Sequence, residues 1–255
     1  MRTGFRLRAV WPLLILLLGT APLDAQWLNY PTPALPRTPD GKPNLSAPTP
    51  RMPDGTPDLS GIWEHLNSRT TAYYLDVEIP WQPWAEALYK QRRADNEKDN
   101  PESRCLPRGL PKAEAFDLHK IVQTPGLIVV LYEYGTTFRQ IFIDGRELPK
   151  DPNPAWMGYS IGRWEGDTLV VGSNGFNGKA WMSGRGNPAT EALHLTERIH
   201  RRDFGHMDIQ ITIDDPKAYT RPWTVTLHPE LIPDTELIEF ICNENERDLP
   251  HLVGR

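Results

Sequence analysis

Residues 192–216 read A-L-H-L-T-E-R-I-H-R-R-D-F-G-H-M-D-I-Q-I-T-I-D-D-P, and apolar residues alternate with polar ones on both sides of Asp203-Phe204-Gly205. Alternation with a period of two is typical of strands that bury one face. A three-residue loop with glycine in the left-handed conformation is a common hairpin connection. The stretch therefore predicts an antiparallel hairpin that pairs His200 with Asp208 and Thr196 with Thr212.

Three histidines lie in this hairpin, at His194, His200 and His206. His194 and His200 share a face but are about 20 Å apart along the strand, too far to bind one ion. His200 and His206 are diagonal neighbours at about 7–8 Å and could only just share a metal with Asp208. The pattern favours a solvent-exposed His200–Asp208 pair, so we predict no metal site.

Glu197 interrupts the apolar face of the hairpin, where it lies between Leu195 and Ile199 and opposite Ile211. A carboxylate in that position needs a partner, a ligand or a raised pKa. Two interpretations stay open. The first is a buried partner such as an arginine from a neighbouring strand, and the second is a functional acid or base, which makes Glu197 the candidate catalytic residue.

The same alternation runs through most of the chain. We expect strands at 59–66, 117–124, 127–134, 137–143, 157–165, 168–174, 192–202, 206–214, 223–229 and 236–242. One helix is predicted at about 84–96, after Pro83. Many short sequential strands with tight turns predict an all-β fold, an antiparallel lipocalin-like barrel or a strongly curved meander sheet.

Two tight turns, Thr124–Leu127 and Tyr134–Thr137, align three of these strands. With two-residue turns, one face is apolar at one end and polar at the other. The candidate ligand-binding residues at the polar end are Asp117, His119, Tyr132, Tyr134 and Arg139. Polar groups that converge above an apolar floor are typical of a small-molecule site. A solvent-exposed sheet rim is the alternative.

Arg139 is the residue of this set expected to recognise the ligand, because its guanidinium offers a planar fork of donors to an anionic or strongly polar group. We expect Arg139→Ala to weaken binding by about 1.5–3 kcal/mol and to leave the fold intact.

The N-terminus predicts export. Residues 1–25 combine three arginines, an apolar run and a small residue at 25, as in a cleaved signal peptide. The apolar run is shorter than the roughly 20 residues of a spanning helix, so no membrane span is expected in the mature chain. Cys105 and Cys242 form an even pair that an exported chain can bridge, although spacing alone leaves two free thiols open. The predicted location is periplasmic or secreted.

Residues 26–57 predict an extended, proline-rich lead-in to a single β domain at 58–255. The lead-in carries a repeat in which Arg37–Ser46 returns as Arg51–Ser60. Proline and short polar residues cannot build a core, so the segment is expected to act as a flexible tether.

Several motifs resemble those of a family of exported bacterial proteins with no assigned activity, and the resemblance spans residues 51–251. The matching motifs are Asp54–Trp63, Arg104–Pro107, Ile121–Gly126, Trp156–Val171 and Thr212–Trp223. Separately, Gly61-Ile-Trp63 is similar to the Gly-x-Trp opening of lipocalin-like barrels. This second resemblance implies a barrel that holds one small ligand or fills with side chains.

Composition and missing motifs narrow the function. A net charge of −5 argues against nucleic acid. The chain contains no Gly-x-Ser-x-Gly, His-Glu-x-x-His or Cys-x-x-Cys sequence, so common secreted hydrolases are disfavoured and no cofactor is predicted. We expect a binding protein for a small, largely apolar ligand with a polar or anionic end. The alternatives are a metal-independent acid–base enzyme in the same pocket, such as a hydratase, isomerase or lyase, and an interaction protein that uses tryptophan-rich loops.

Overall fold

The structure is a computed structural model, described here for residues 30–65 and 77–244. The predicted signal peptide at 1–25 lies outside these residues. Ten strands are present in the described chain: β1 Gly61–Glu64, β2 His119–Thr124, β3 Leu127–Tyr132, β4 Thr137–Phe142, β5 Tyr159–Glu165, β6 Thr168–Asn174, β7 His194–Arg201, β8 Met207–Asp214, β9 Trp223–Leu227 and β10 Glu230–Leu231.

All ten strands form one curled, half-barrel sheet in the order β10-β1-β2-β3-β4-β5-β6-β7-β8-β9. Every neighbouring pair is antiparallel except β4 and β5, which are parallel and joined by the long connection 143–158. Only residues 228 and 229 separate β9 from β10, so the chain bends there from one sheet edge to the other. The fold is the predicted all-β, lipocalin-like one.

Within the described residues, two α-helices accompany the sheet. Helix α1 spans Pro83–Ala94, where the predicted helix lies, and proline occupies its first turn. Helix α2, Lys112–Phe116, was not predicted because five residues are too few to show helical periodicity. Neither helix, within the described residues, is long and apolar enough to cross a bilayer.

The β7–β8 hairpin has the predicted register, with His200 opposite Asp208 and Thr196 opposite Thr212. The role predicted for Gly205 was wrong, because this residue is not among the glycines with positive φ. A Cβ at Gly205 would lie 2.4 Å from the Cβ of Leu45. Glycine is needed here because the lead-in crosses this turn, and the Gly205 amide donates to the Leu45 carbonyl at 2.7 Å.

The β3–β4 register differs from the prediction by two residues. Arg139 is opposite Val130, and Tyr132 is opposite Thr137, because residues 133–136 form a four-residue turn with Gly135 and Thr136 at positive φ. The sequence reading had placed Arg139 opposite Tyr132. An even shift leaves every side chain on its predicted face.

The part of the lead-in from residue 31 to residue 57 packs on the sheet, where the amides of Phe204 and Gly205 donate to the carbonyls of Ala47 and Leu45. Each repeat copy forms a small bridged turn, in which Arg37 pairs with Pro43 and Arg51 with Pro57. Both arginines donate to the carbonyl of their own turn glycine and form a two-point ion pair with a distant aspartate. The two copies of the repeat therefore attach the lead-in to the domain surface through ion pairs, one between Arg37 and Asp234 and one between Arg51 and Asp167.

The predicted strand at 236–242 was wrong. The segment 232–244, which we name the C-terminal strap, contains no strand. Its backbone bonds to side chains, since the Ile238 amide donates to Glu133 and the Phe240 carbonyl accepts from Thr136. A disulfide between Cys105 and Cys242 fixes the end of the strap, and this settles the question left open by cysteine spacing.

Candidate functional site

Four of the five predicted site residues are buried at one end of the sheet. Asp117, His119, Tyr132 and Arg139 each expose no more than 4% of their surface. The rings of His119 and Tyr132 lie 5.7 Å apart on paired residues of β2 and β3. Tyr134 is only half-buried, in the turn after β3, and packs instead under Arg108 and beside Phe240.

Arg139 is fully engaged by the protein. Its Nη1 donates to Glu114 at 3.0 Å and to Glu197 at 3.1 Å, and Nη2 donates to the other oxygen of Glu197. Its Nε and Nη2 also donate to the hydroxyls of Ser160 and Ser173, at 3.0 and 2.9 Å. All five donor positions of the guanidinium therefore have a partner.

The reach of Arg139 across the sheet depends on two small residues. Ser160 on β5 and Ser173 on β6 are paired in the ladder, and their hydroxyls lie 2.8 Å apart. The Arg139 side chain passes these serines to meet Glu197 on β7, three strands from its own. Glu197 thus has the buried arginine partner of the first interpretation, and no pattern in the sequence indicates which strand supplies it.

Burial raises the pKa of Glu197, and Arg139 opposes that shift. Burial alone would lower the pKa of Arg139, but the charge and hydrogen bonds of Glu197 raise it overall. Arg139 is consequently held in its charged form, and its two-point contact with Glu197 offsets part of the water that the carboxylate loses on burial.

Glu114 is the functional-site residue that sequence reasoning missed. It lies on α2, it is buried, and it accepts from Tyr132 as well as from Arg139. Burial, and then Glu114, raise the pKa of Tyr132 well above its usual value, so the phenol stays a donor. No short-range pattern identifies Glu114, since its helix is a single turn and its partners are remote in sequence.

His119 has one nitrogen that the protein leaves unused. Its Nδ1 lies 2.9 Å from the carbonyl oxygen of Asp117, which only accepts, so Nδ1 carries the proton. Its Nε2 is buried with no hydrogen-bond partner among the described residues and lies 4.0 Å from Glu114. An imidazole nitrogen beside a carboxylate can exchange a proton with a small molecule or a water placed between them.

Asp117 belongs to a second charged cluster at the same end. One oxygen pairs with Arg108, which also donates to Glu102 at 2.8 Å, while the other oxygen is buried without a partner among the described residues. Burial raises the pKa of Asp117 to about 7, although Arg108 and Lys112 oppose it. Burial also lowers the pKa of Lys112 to about 8.

An open groove of about 430 Å³ lies where β4 and β5 separate. The two strands pair only at Ile141–Ser160 and Phe142–Ile161. The groove is lined mainly by apolar residues, including Phe138, Phe142, Trp156 and Met157, and it reaches Arg139 and Ser160. Phe138 is 59% exposed, the largest value among the exposed large apolar residues of the described chain.

The hairpin histidines form no site of their own. His200 pairs with Asp208 in the ladder, but its Nδ1 lies near the Asp167 carbonyl, and Asp208 is bound by His228 and Arg202. The expected His200–Asp208 contact was therefore wrong. Within residues 30–65 and 77–244, no group of three His, Cys, Asp or Glu side chains could hold a metal ion.

Comparison with known proteins adds no relative: no protein-family model, no curated protein and no solved structure matches this chain.

Proposed function

We propose that this protein binds a small, largely apolar molecule with a polar or anionic end, in the groove between β4 and β5. The observation that carries the proposal is the groove itself. Its volume falls in the range of about 300–1,000 Å³ typical of small-molecule sites, and apolar residues with a few polar groups line it. The exposed Phe138 and the partly exposed Trp156, which both line the groove, gain most from a ligand that covers them.

The buried network next to the groove limits how a ligand's polar end can bind. Arg139 has no spare donor, so an anion could reach it only by replacing Ser160, Ser173 or a carboxylate. A polar end that exchanges hydrogen bonds with Ser160 at the groove floor requires the smallest change. The apolar body then rests against Phe138, Phe142 and Trp156.

The proposal includes export, in the periplasm or outside the cell. The Cys105–Cys242 disulfide supports it, because disulfides persist in oxidising compartments and are rare in the cytosol.

The test is native mass spectrometry of the protein purified from the envelope of its own cells. We expect a co-purifying small molecule on the wild type and about tenfold weaker retention by Trp156→Ala, since burying an aromatic side chain contributes about 1.5–3 kcal/mol. Leu131→Ala is the matched control, because Leu131 is opposite Phe138 on β3, is also exposed, and does not line the groove. Equal retention by both variants, or no bound molecule on any of them, would contradict the proposal.

The unused Nε2 of His119 supports a second candidate, a metal-independent acid–base enzyme. In that case the molecule would bind beside His119, which does not line the groove, and His119 with Glu114 would move a proton on it, while Tyr132 keeps its hydrogen bond to Glu114. Incubation of the co-purified molecule with the enzyme in D2O tests this without knowledge of the product. Wild type should incorporate deuterium into the molecule and His119→Gln should not, whereas a pure binding protein incorporates none.

A further inference from the structure

The outer face of the sheet, opposite the core, is polar on one half and apolar on the other. On β7, β8 and β9 every outward-facing residue is polar or charged. An antiparallel sheet with one solvated face normally carries such residues there. On β2, β3 and β4, which we name together the apolar outer face, six of the nine outward-facing residues are instead apolar: Val122, Leu127, Val129, Leu131, Phe138 and Phe142.

The sequence of β3 shows the same contrast within one strand. Leu127–Tyr132 reads L-I-V-V-L-Y, so both of its faces are apolar. One face packs in the core through Ile128, Val130 and Tyr132, and the other points outward. A continuous apolar run is typical of a strand that is buried on both faces, which indicates that a second element covers the outer one.

The exposed apolar side chains of the described residues are concentrated here. Val122 and Leu131 are each 38% exposed, and Phe138 is 59% exposed. The C-terminal strap adds Ile238 and Ile241. These five are the majority of the eight large apolar residues that are exposed in the described chain. Single exposed apolar residues are ordinary, whereas a contiguous group of them marks a contact site.

The apolar outer face carries a single charged residue, Lys120, which pairs with Glu236 of the strap at 2.5 Å. The strap therefore borders the face at the end where β2 begins. Other charges lie only at the two ends of the face: Glu133 and Glu239 at the strap end, and the ion pair of Asp144 with Arg146 beside Phe142 at the opposite end.

This distribution of charge fits a second copy of the same chain. A two-fold dimer places a surface patch on the same patch of its partner, which a patch of one charge would oppose. The centre of the apolar outer face is uncharged, although the whole chain has a net charge of −5. When the strands of the two copies are antiparallel, the acidic strap end of each copy lies over the neutral end of the other.

We propose that the apolar outer face is a dimer interface, on which a second copy of this chain packs with its strands antiparallel to those of the first. Strands about 4.8 Å apart and six residues long give β2–β5 an area of roughly 400 Å² in projection. That is the size of patch that marks a contact site, but it is smaller than the roughly 800 Å² per partner of a standard stable interface. We therefore expect a reversible dimer with a Kd of about 10–100 μM.

The interface and the groove between β4 and β5 adjoin each other, because Phe138, Gln140 and Phe142 belong to both. The centre of the interface is nevertheless outside the groove, since neither Val122 nor Leu131 lines it. At protein concentrations well below the expected Kd the chain is monomeric, so ligand retention is measured on the monomer. The proposed small-molecule site and the proposed interface can therefore fail independently.

The experiment is sedimentation equilibrium of the full chain between about 1 and 300 μM, a range that spans the expected Kd. Wild type should change from monomer to dimer over this range. Leu131→Lys and Val122→Lys should each weaken dimerisation at least about tenfold, because the two-fold symmetry brings two added charges together in an apolar contact. Thr226→Lys, the same change at an exposed outward position of β9 on the polar half, should dimerise like wild type.

Leu131→Thr keeps the test decisive if a lysine variant fails to fold, since threonine suits an exposed strand position. It should weaken the dimer about tenfold through the loss of apolar area alone. A dimer that none of the three variants on the apolar outer face weakens, or that Thr226→Lys weakens equally, would overturn the proposal. A wild type that stays monomeric at the highest concentration, or that binds phosphatidylcholine vesicles as a monomer, would also overturn it.

Discussion

Two buried arginines, Arg139 and Arg201, compensate the loss of water around their positive charge in different ways. Each is 2% exposed. Arg139 meets two carboxylates, Glu114 and Glu197. Arg201 has no carboxylate partner among the described residues and donates instead to backbone carbonyls, those of Asp58, Ser60, Asp203 and Phe204.

The pKa values of the two guanidinium groups consequently shift in opposite directions. Burial lowers the pKa of Arg201 to about 10, with only partial opposition from Asp58 and Asp203, while the pKa of Arg139 is raised overall. The rings of Trp63 and Phe204, at 4.8 and 5.1 Å from the Arg201 guanidinium, add a further weak attraction. Carbonyl dipoles thus fix the geometry of a buried cation, whereas a carboxylate also neutralises it.

The largest expected effect follows from removing Arg139. Arg139→Met should lower the free energy of unfolding by about 3–5 kcal/mol, because Glu114 and Glu197 would remain buried without their cation. This replaces the expectation, drawn from the sequence, that truncation leaves the fold intact. Denaturant unfolding measures the loss, and Arg198→Met, on the outer face of the same sheet, is the control that should change little.

A double variant separates two contributions to the free energy of unfolding, that of the Arg139–Glu197 ion pair and that of a buried carboxylate left without its cation. Adding Glu197→Gln to Arg139→Met should recover part of the lost stability, since one buried carboxylate is removed. A double variant no more stable than Arg139→Met alone would mean that the hydrogen bonds, and not the charge, carry the effect.

The buried acid Asp117 is intermediate between these two cases, because one of its oxygens pairs with Arg108 and the other has no partner among the described residues. We therefore expect its titration to make the free energy of unfolding depend on pH. Its folded pKa of about 7 lies above the reference value of 3.8, so the folded state binds the extra proton between these values. The stabilisation is therefore complete below about pH 4 and is lost as pH rises through about 7, by about 4 kcal/mol in all, of which about 3 kcal/mol is lost between about pH 4.5 and about pH 7.5.

Unfolding measured at about pH 4.5 and about pH 7.5 should show this fall in wild type and a clearly smaller one in Asp117→Asn, whose amide does not titrate, while Glu197, whose pKa burial also raises, accounts for what remains. Asp144→Asn is the control, because Asp144 is exposed and hydrogen bonds from Arg146 lower its pKa, so the fall caused by Asp117 should persist. The same slope in wild type and Asp117→Asn would assign the effect to another group.

The smallest of the three effects is expected at Arg201. Arg201→Met should cost about 1–3 kcal/mol, the range for leaving buried acceptors unsatisfied, and no carboxylate is stranded. Arg202→Met, at the adjacent exposed position, should be close to neutral. A loss at Arg201 as large as that at Arg139 would break the comparison and would show that carbonyl contacts stabilise a buried cation as strongly as carboxylates do.

Local pattern was enough to predict most of the fold. Alternation and tight turns located nine of the ten predicted strands, the β2–β3 and β7–β8 registers and the inward faces of Tyr132, Arg139 and Glu197. Side-chain direction follows from parity, and an even error in the β3–β4 turn left it unchanged. The strand predicted at 236–242 failed because its composition suits a strand while its backbone bonds go to side chains of the strap's neighbours.

By itself the sequence determined which way each strand residue points and that Glu197 needed a buried partner. Only the tertiary structure decided that the partner is Arg139, that Glu114 completes the network, and that the groove between β4 and β5 is open. The reason is the distance along the chain over which each feature is determined. Alternation depends on neighbours within one segment, whereas Arg139 contacts Glu197 across two intervening strands. Such contacts depend on the curl of the sheet and on small residues such as Ser160 and Ser173, which leave room for the Arg139 side chain.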